Sequence, residues 1–150
     1  MKNNDILCRL RYTFNFDDDK MIDLFAKGGL VTTRADISDY LKKEEDENHK
    51  PLNDRLFAMY LNGFIINFRG EKEGGTPPPE AQLNNNIIFR KLKIGLNFKD
   101  EDLLAIFELV GMRISKHELS AFFRNPNQSQ YREGKDQFWR NFLEGLQVKY

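Results

Sequence analysis

The chain repeats itself. Residues 3–64 align on residues 85–146 at a constant offset of 82, with no gap. Asn4/Asn86, Ile6/Ile88, Leu10/Leu92, Asn15/Asn97, Phe16/Phe98, Phe25/Phe107, Gly29/Gly111, Ser38/Ser120, Asp54/Asp136, Leu61/Leu143 and Gly63/Gly145 are identical pairs. Apolar character is kept at Leu24/Ile106, Ile37/Leu119, Tyr40/Phe122 and Phe57/Trp139, and charge sign at Arg9/Lys91, Arg11/Lys93, Arg34/Lys116 and Asp36/Glu118. A match this long in register is a duplication. Whatever one copy folds into, the chain must fold into twice.

Within a copy the apolar spacing is helical. Ile6, Leu7, Leu10 and Phe14 make a stripe at i, i+1, i+4 and i+8. Asp17, Asp18 and Asp19 sit where a second helix starts; free N–H groups and the helix dipole favour negative charge there. That helix should bury Met21, Ile22, Leu24 and Phe25 and stop at Gly28-Gly29, as its counterpart stops at Gly111. Thr33 with Asp36, and Ser115 with Glu118, have the spacing of a capping box and open a third helix. A fourth starts at Asn53 or Asp54 and carries Leu56, Phe57, Tyr60, Leu61 and Phe64; its copy starts near Asp136 and carries Phe138, Trp139, Phe142, Leu143 and Leu146. No segment alternates with period two. The expected fold is all-α: two tandem four-helix repeats, distantly helix-turn-helix-like. A repeat of this size buries only about 60% of its unfolded surface, so the two are expected to pack together.

The expected divisions are residues 1–69, a Gly/Pro linker at 70–82, and residues 83–150. The linker begins with glycines and ends in Pro77-Pro78-Pro79, flexible and then stiff. Residues 1–70 hold 11 basic and 12 acidic side chains, whereas residues 83–150 hold 11 and 8. The copies share a scaffold but not a surface. A formal net charge of zero removes the long-range positive potential on which non-specific binding to DNA, RNA or anionic membranes rests. No apolar run is long enough to span a bilayer and no signal peptide follows Met1, so a cytoplasmic location is expected.

Chemical motifs are scarce. The single cysteine, Cys8, lies mid-helix and reads as an inert structural thiol. His49 and His117 fit no zinc-ligand spacing. The acids at 17–19 recur as Asp100-Glu101-Asp102 at the same helix start, which favours capping over metal binding. There is no phosphate-binding glycine loop. Phe138, Trp139 and Phe142 resemble a base-stacking platform only in composition; their helical spacing makes them core. No catalytic residue, metal ligand or cofactor is expected, and the chain does not read as an enzyme.

One constellation points to a partner. The helix order, with a capped third helix, is distantly that of phage-repressor helix-turn-helix domains, whose reading helix presents its N-terminal side chains to base edges. The residues between Ala26 and Thr32 make the turn too long, and Asp36 and Asp39 make the first copy's reading helix acidic. The second copy is basic, with Arg113, Lys116, His117, Arg124, Arg132 and Lys135 as candidate nucleic-acid contacts.

The strings Asn3-Asn4-Asp5-Ile6-Leu7, Leu10-Arg11-Tyr12, Leu41-Lys42-Lys43-Glu44-Glu45-Asp46, Leu61-Asn62-Gly63, Pro77-Pro78-Pro79-Glu80-Ala81-Gln82-Leu83 with Arg90-Lys91-Leu92, and Arg140-Asn141-Phe142-Leu143 resemble the YehS-like family of small bacterial proteins along essentially the whole chain. The resemblance implies a bacterial cytoplasmic protein made of a duplicated domain, and brings no catalytic or binding residues with it. The expectation is a non-enzymatic binding or adaptor protein with a protein partner. The alternative is a nucleic-acid-binding regulator that uses a modified helix-turn-helix in the second repeat.

Overall fold

Every segment with a helical apolar stripe is helical in the computed structural model, which describes residues 1–150. The first repeat holds α1 (Asn3–Phe14), α2 (Asp18–Lys27), α3 (Arg34–Leu41) and α4 (Asp54–Arg69). The second holds α5 (Asn85–Gly95), α6 (Asp100–Glu108), α7 (Lys116–Ala121) and α8 (Asp136–Lys149). There is no strand. The chain divides into two units, Met1–Leu83 and Asn84–Tyr150.

Local chemistry fixes the helix starts. Asp17 accepts the Lys20 N–H at 2.8 Å and opens α2. Both capping boxes form: Thr33 accepts from the Asp36 N–H while Asp36 accepts from that of Thr33, and Ser115 and Glu118 do the same. Asn53 caps α4 and Asn84 caps α5. Asn15 and Asn97, which follow α1 and α5, adopt φ of 53° and 56°. Asparagine tolerates this left-handed conformation better than other residues with a side chain, which explains the identity of that pair.

Each unit has its own core. In the first, Ile6, Leu7, Leu10, Met21, Leu24, Phe25, Ile37, Phe57, Tyr60 and Phe64 are buried. Burial pushes the Tyr60 hydroxyl well above the usual phenol range, and its only hydrogen-bond partner is the Met21 sulfur at 3.8 Å. In the second, Ile88, Phe89, Leu92, Phe107, Phe122, Phe138, Trp139 and Phe142 form an aromatic cluster, with Phe122 and Phe138 stacked at 4.0 Å. Phe138, Trp139 and Phe142 are therefore core, as their spacing implies; the Trp139 Nε1 makes no hydrogen bond. Two expectations need correcting. Ile22 is only half-buried, because the inward face of α2 runs through Met21, Leu24 and Phe25. Cys8 is exposed, on the outward face of α1, so it serves no packing role.

Glycines set how tightly the second and fourth helices cross. A Cβ on Gly63 would lie 1.7 Å from the Leu24 carbonyl oxygen, and one on Gly28 would lie 1.7 Å from that of Met59. Gly29, at φ 97°, turns the chain out of α2; Gly28 has an ordinary φ of −84° and is glycine for lack of space. In the second unit Gly145 keeps one such contact, 2.6 Å from the Ile106 carbonyl oxygen. Val110 replaces the other glycine, and α6 ends one residue early, at Glu108.

A pair of asparagines at the start of each repeat ties the connection between the third and fourth helices. The Asn4 amide donates to the carbonyls of Tyr40 and Lys50, both at 2.9 Å, and accepts from the Leu52 N–H at 3.0 Å. Asn86 does the same to Phe122, Arg132 and Gly134, at 3.0, 2.8 and 2.7 Å. Asn3 reaches the Leu52 carbonyl and Asp54; Asn85 reaches the Gly134 carbonyl and Asp136. Every partner in one set lies 82 residues from its counterpart in the other.

Candidate binding face of the second repeat

Ion pairs decide which of the basic residues are available. Arg34 pairs with Asp19 at 3.0 Å in the first repeat; Lys116 pairs with Glu101 at 2.7 Å in the second. Lys50 pairs with Asp36 at 3.3 Å, and Arg132 with Glu118 at 3.9 Å. Arg11 and Asp18 at 2.8 Å correspond to Lys93 and Asp100 at 3.3 Å. All three pairs occupy matching positions and therefore belong to the shared scaffold. The carboxylates feel them. Lys116 holds Glu101 below its ordinary pKa, and the Ser115 N–H does so for Glu118. The Thr33 N–H, followed by Lys50, lowers that of Asp36.

The six candidate contacts differ in what they meet. Lys116 and Arg132 are engaged by acids, and Lys135 lies 3.5 Å from Glu133. His117 is exposed on α7, a helix of six residues. Arg113 lines an open cleft of about 370 Å³ with Leu104, Glu108, Ile114, Ser115 and Glu118, where carboxylates outnumber it two to one. Arg124 donates to Gln130 and, at 3.4 Å, to the Ser120 hydroxyl; no carboxylate meets it. The six do not share one partner.

A grouping absent from that set forms around Phe123. The Arg90 guanidinium, on the exposed face of α5, donates to the Phe123 carbonyl at 3.2 Å. The Lys93 ammonium sits 4.4 Å from the centre of the Phe123 ring, and Arg124 is the next residue along the chain. The ring also stacks on Phe89, with centroids 5.0 Å apart and an interplanar angle of 23°. Arg90 and Arg124 have no ion-pair partner. At the matching places the first repeat has Cys8 for Arg90, Leu41 for Phe123, and Lys42 for Arg124. Lys42 is neutralised by Asp39 at 2.7 Å, a residue whose counterpart is Ala121. The neighbouring loop differs in the same sense. Residues 43–48 read Lys-Glu-Glu-Asp-Glu-Asn, whereas residues 125–130 read Asn-Pro-Asn-Gln-Ser-Gln, on equivalent main-chain turns. The sequence did hold a signal for this: a cation kept in both copies together with its acid is scaffold, and one that has lost its acid is not.

A duplicated all-helical domain with one such divergent basic face defines the class. The chain belongs to the family described as "Protein of unknown function (DUF1456)", which matches twice, over residues 3–70 and 85–150, one match per repeat. It is 35% identical over 150 residues to a protein of Escherichia coli (strain K12) titled "Uncharacterized protein YehS", covering 99% of this chain and 96% of that one. No solved structure matches it. No helix is long and apolar enough to cross a membrane.

Proposed function

We propose that this chain is a non-enzymatic binding protein of adaptor type in the bacterial cytoplasm, and that it engages a protein partner through its second repeat. The observation that supports this reading is the asymmetry of the copies. They share a fold, the third-helix capping boxes and three ion pairs, yet the second has Arg90 and Arg124, neither met by an acid, where the first has Cys8 and an acid-paired Lys42. Arginines of this kind are frequent anchors in protein interfaces, where the planar guanidinium forms directed pairs with carboxylates.

The second reading is a nucleic-acid-binding regulator, and it rests on Arg113 and Arg124. It is weakened by Lys116 and Arg132, whose charge is already balanced by Glu101 and Glu118.

A photo-crosslinking residue placed at Gln130, compared with one at Val31 of the first repeat, tests the leading reading in the native cytoplasm. A discrete protein adduct is expected from position 130 and not from position 31. Equal adducts from both sites would overturn it. Fluorescence anisotropy with random duplex and single-stranded oligonucleotides at low salt is expected to show no binding at tens of micromolar protein. Binding with a log–log salt slope near −4 to −5, the value for about five phosphate contacts, would favour the second reading.

A further inference from the structure

We propose that Arg90, Lys93 and Arg124 form a docking point, centred on Phe123, for an acidic segment of a protein partner. The proposal rests on the protein-binding reading above and names the chemistry of the partner.

Three observations carry it. First, three cations surround one residue, Arg90 and Lys93 from α5 and Arg124 from the segment after α7. Arg90 is held on the Phe123 carbonyl, Lys93 on its ring, and Arg124 follows it, steadied by Gln130 and Ser120. Two of the three lack an acid; the third shares Asp100 at 3.3 Å, with part of its surface still open. Arginine side chains fixed at their donor groups lose less freedom when a ligand arrives, and the guanidinium fork fits a carboxylate with two parallel hydrogen bonds. Second, the loop beside them carries no charge. The acids that fill residues 44–47 of the first repeat are replaced by Pro126, Asn127, Gln128 and Ser129. The face that repels carboxylates in one copy has become one that accepts them in the other. Third, the aromatic ring is not free for stacking. Phe89 stacks on the ring and the Lys93 ammonium lies 4.4 Å from its centre, so the ring already has partners where a nucleic-acid base would stack. Single-strand binding depends on aromatic faces open to bases. The remaining attraction is for anionic groups that need no stacking, and a run of Asp and Glu side chains supplies them.

The test uses the full chain and a fluorescein-labelled peptide, Gly-Ser-Glu-Glu-Asp-Glu-Ser-Gly, read by anisotropy at low salt. An analogue with Gln and Asn in place of the acids and a dT12 oligonucleotide are run beside it. The acidic peptide should bind and the amide analogue should not. R90Q/R124Q should weaken binding by about tenfold or more, because two charge-assisted contacts are lost. R90K/R124K should lose about half of that on a logarithmic scale, since charge remains but the fork does not. K27Q, on the first repeat, should change affinity less than about twofold, the loss expected of a remote screened charge. Circular dichroism confirms that each variant is folded. The proposal is overturned if the acidic peptide does not bind at millimolar concentration, if K27Q weakens binding as much as R90Q/R124Q, or if dT12 binds more tightly and loses that binding in R90Q/R124Q. If crosslinking at Gln130 captures a partner that R90Q/R124Q still binds normally, protein binding stands and this docking point falls.

Discussion

The two repeats keep the same asparagine ties and differ in how closely their helices cross. In the first, α2 and α4 approach until main chain meets main chain at Gly28 and Gly63; in the second only Gly145 remains, and Val110 stands where the other glycine would be. The polar ties, by contrast, are copied atom for atom between Asn4 and Asn86. Packing can relax by small shifts of a helix. An amide that satisfies two carbonyls and one N–H cannot be replaced by another side chain without leaving polar groups unmet. Duplicated chains should therefore diverge first in packing and surface charge and last in such amides.

The sharpest test of that contrast is Gly63→Ala against Gly145→Ala. The first drives a methyl group into a carbonyl oxygen and should cost about 4 kcal/mol or more, above the usual range for overpacking. The second meets the Ile106 carbonyl oxygen at 2.6 Å, a smaller overlap, and should cost less, about 1–3 kcal/mol. Urea melts followed by circular dichroism will show it; equal losses would mean that the two crossings are not different in kind.

Asn86→Ala comes next. It removes three hydrogen bonds and leaves buried main-chain groups unpaired, for about 2–4 kcal/mol. Asn4→Ala, in a less buried setting, should cost somewhat less. If either is neutral in the same melts, the amide is not what holds the connection.

Smaller effects should be equal between the copies. Thr33→Ala and Ser115→Ala each remove an N-cap and should each cost about 1 kcal/mol. The smallest effect is that of acid. Asp36 and Glu118 have pKa values below the ordinary carboxylate range, so the stabilisation they give is present above that range and is lost as pH falls through their folded-state values. The urea midpoint should drop on acidification below about pH 4, and the D36N/E118Q variant should drop less. A steeper fall in the variant would break the assignment.

Much of this was legible in the sequence because helix chemistry is local. A capping box spans four residues and an apolar stripe repeats every three or four, so Thr33, Ser115 and the core position of Trp139 could be placed from spacing alone. What could not be read were contacts between residues far apart in the chain. Asn4 and Asn86 stood out as identities, but Tyr40 and Lys50 are distant in sequence and nothing in the spacing names them as partners. The charges failed for the same reason. Lys116 and Arg132 read as free cations in sequence because Glu101 and Glu118 are distant in the chain, and Arg90 carries no signal because its partner, the Phe123 carbonyl, lies in the turn after α7.

The amide ties have a consequence for engineering. Because Asn4 grips the chain at Tyr40, Lys50 and Leu52, the exposed stretch between residues 43 and 48 is anchored at both ends by main-chain groups outside it. Lengthening an anchored loop adds closure entropy only slowly, by about 0.6 kcal/mol for each doubling. That stretch, and its counterpart at 125–130, should accept a grafted epitope or a fluorescent tag with little disturbance of the helices around it, which makes each repeat a ready display scaffold.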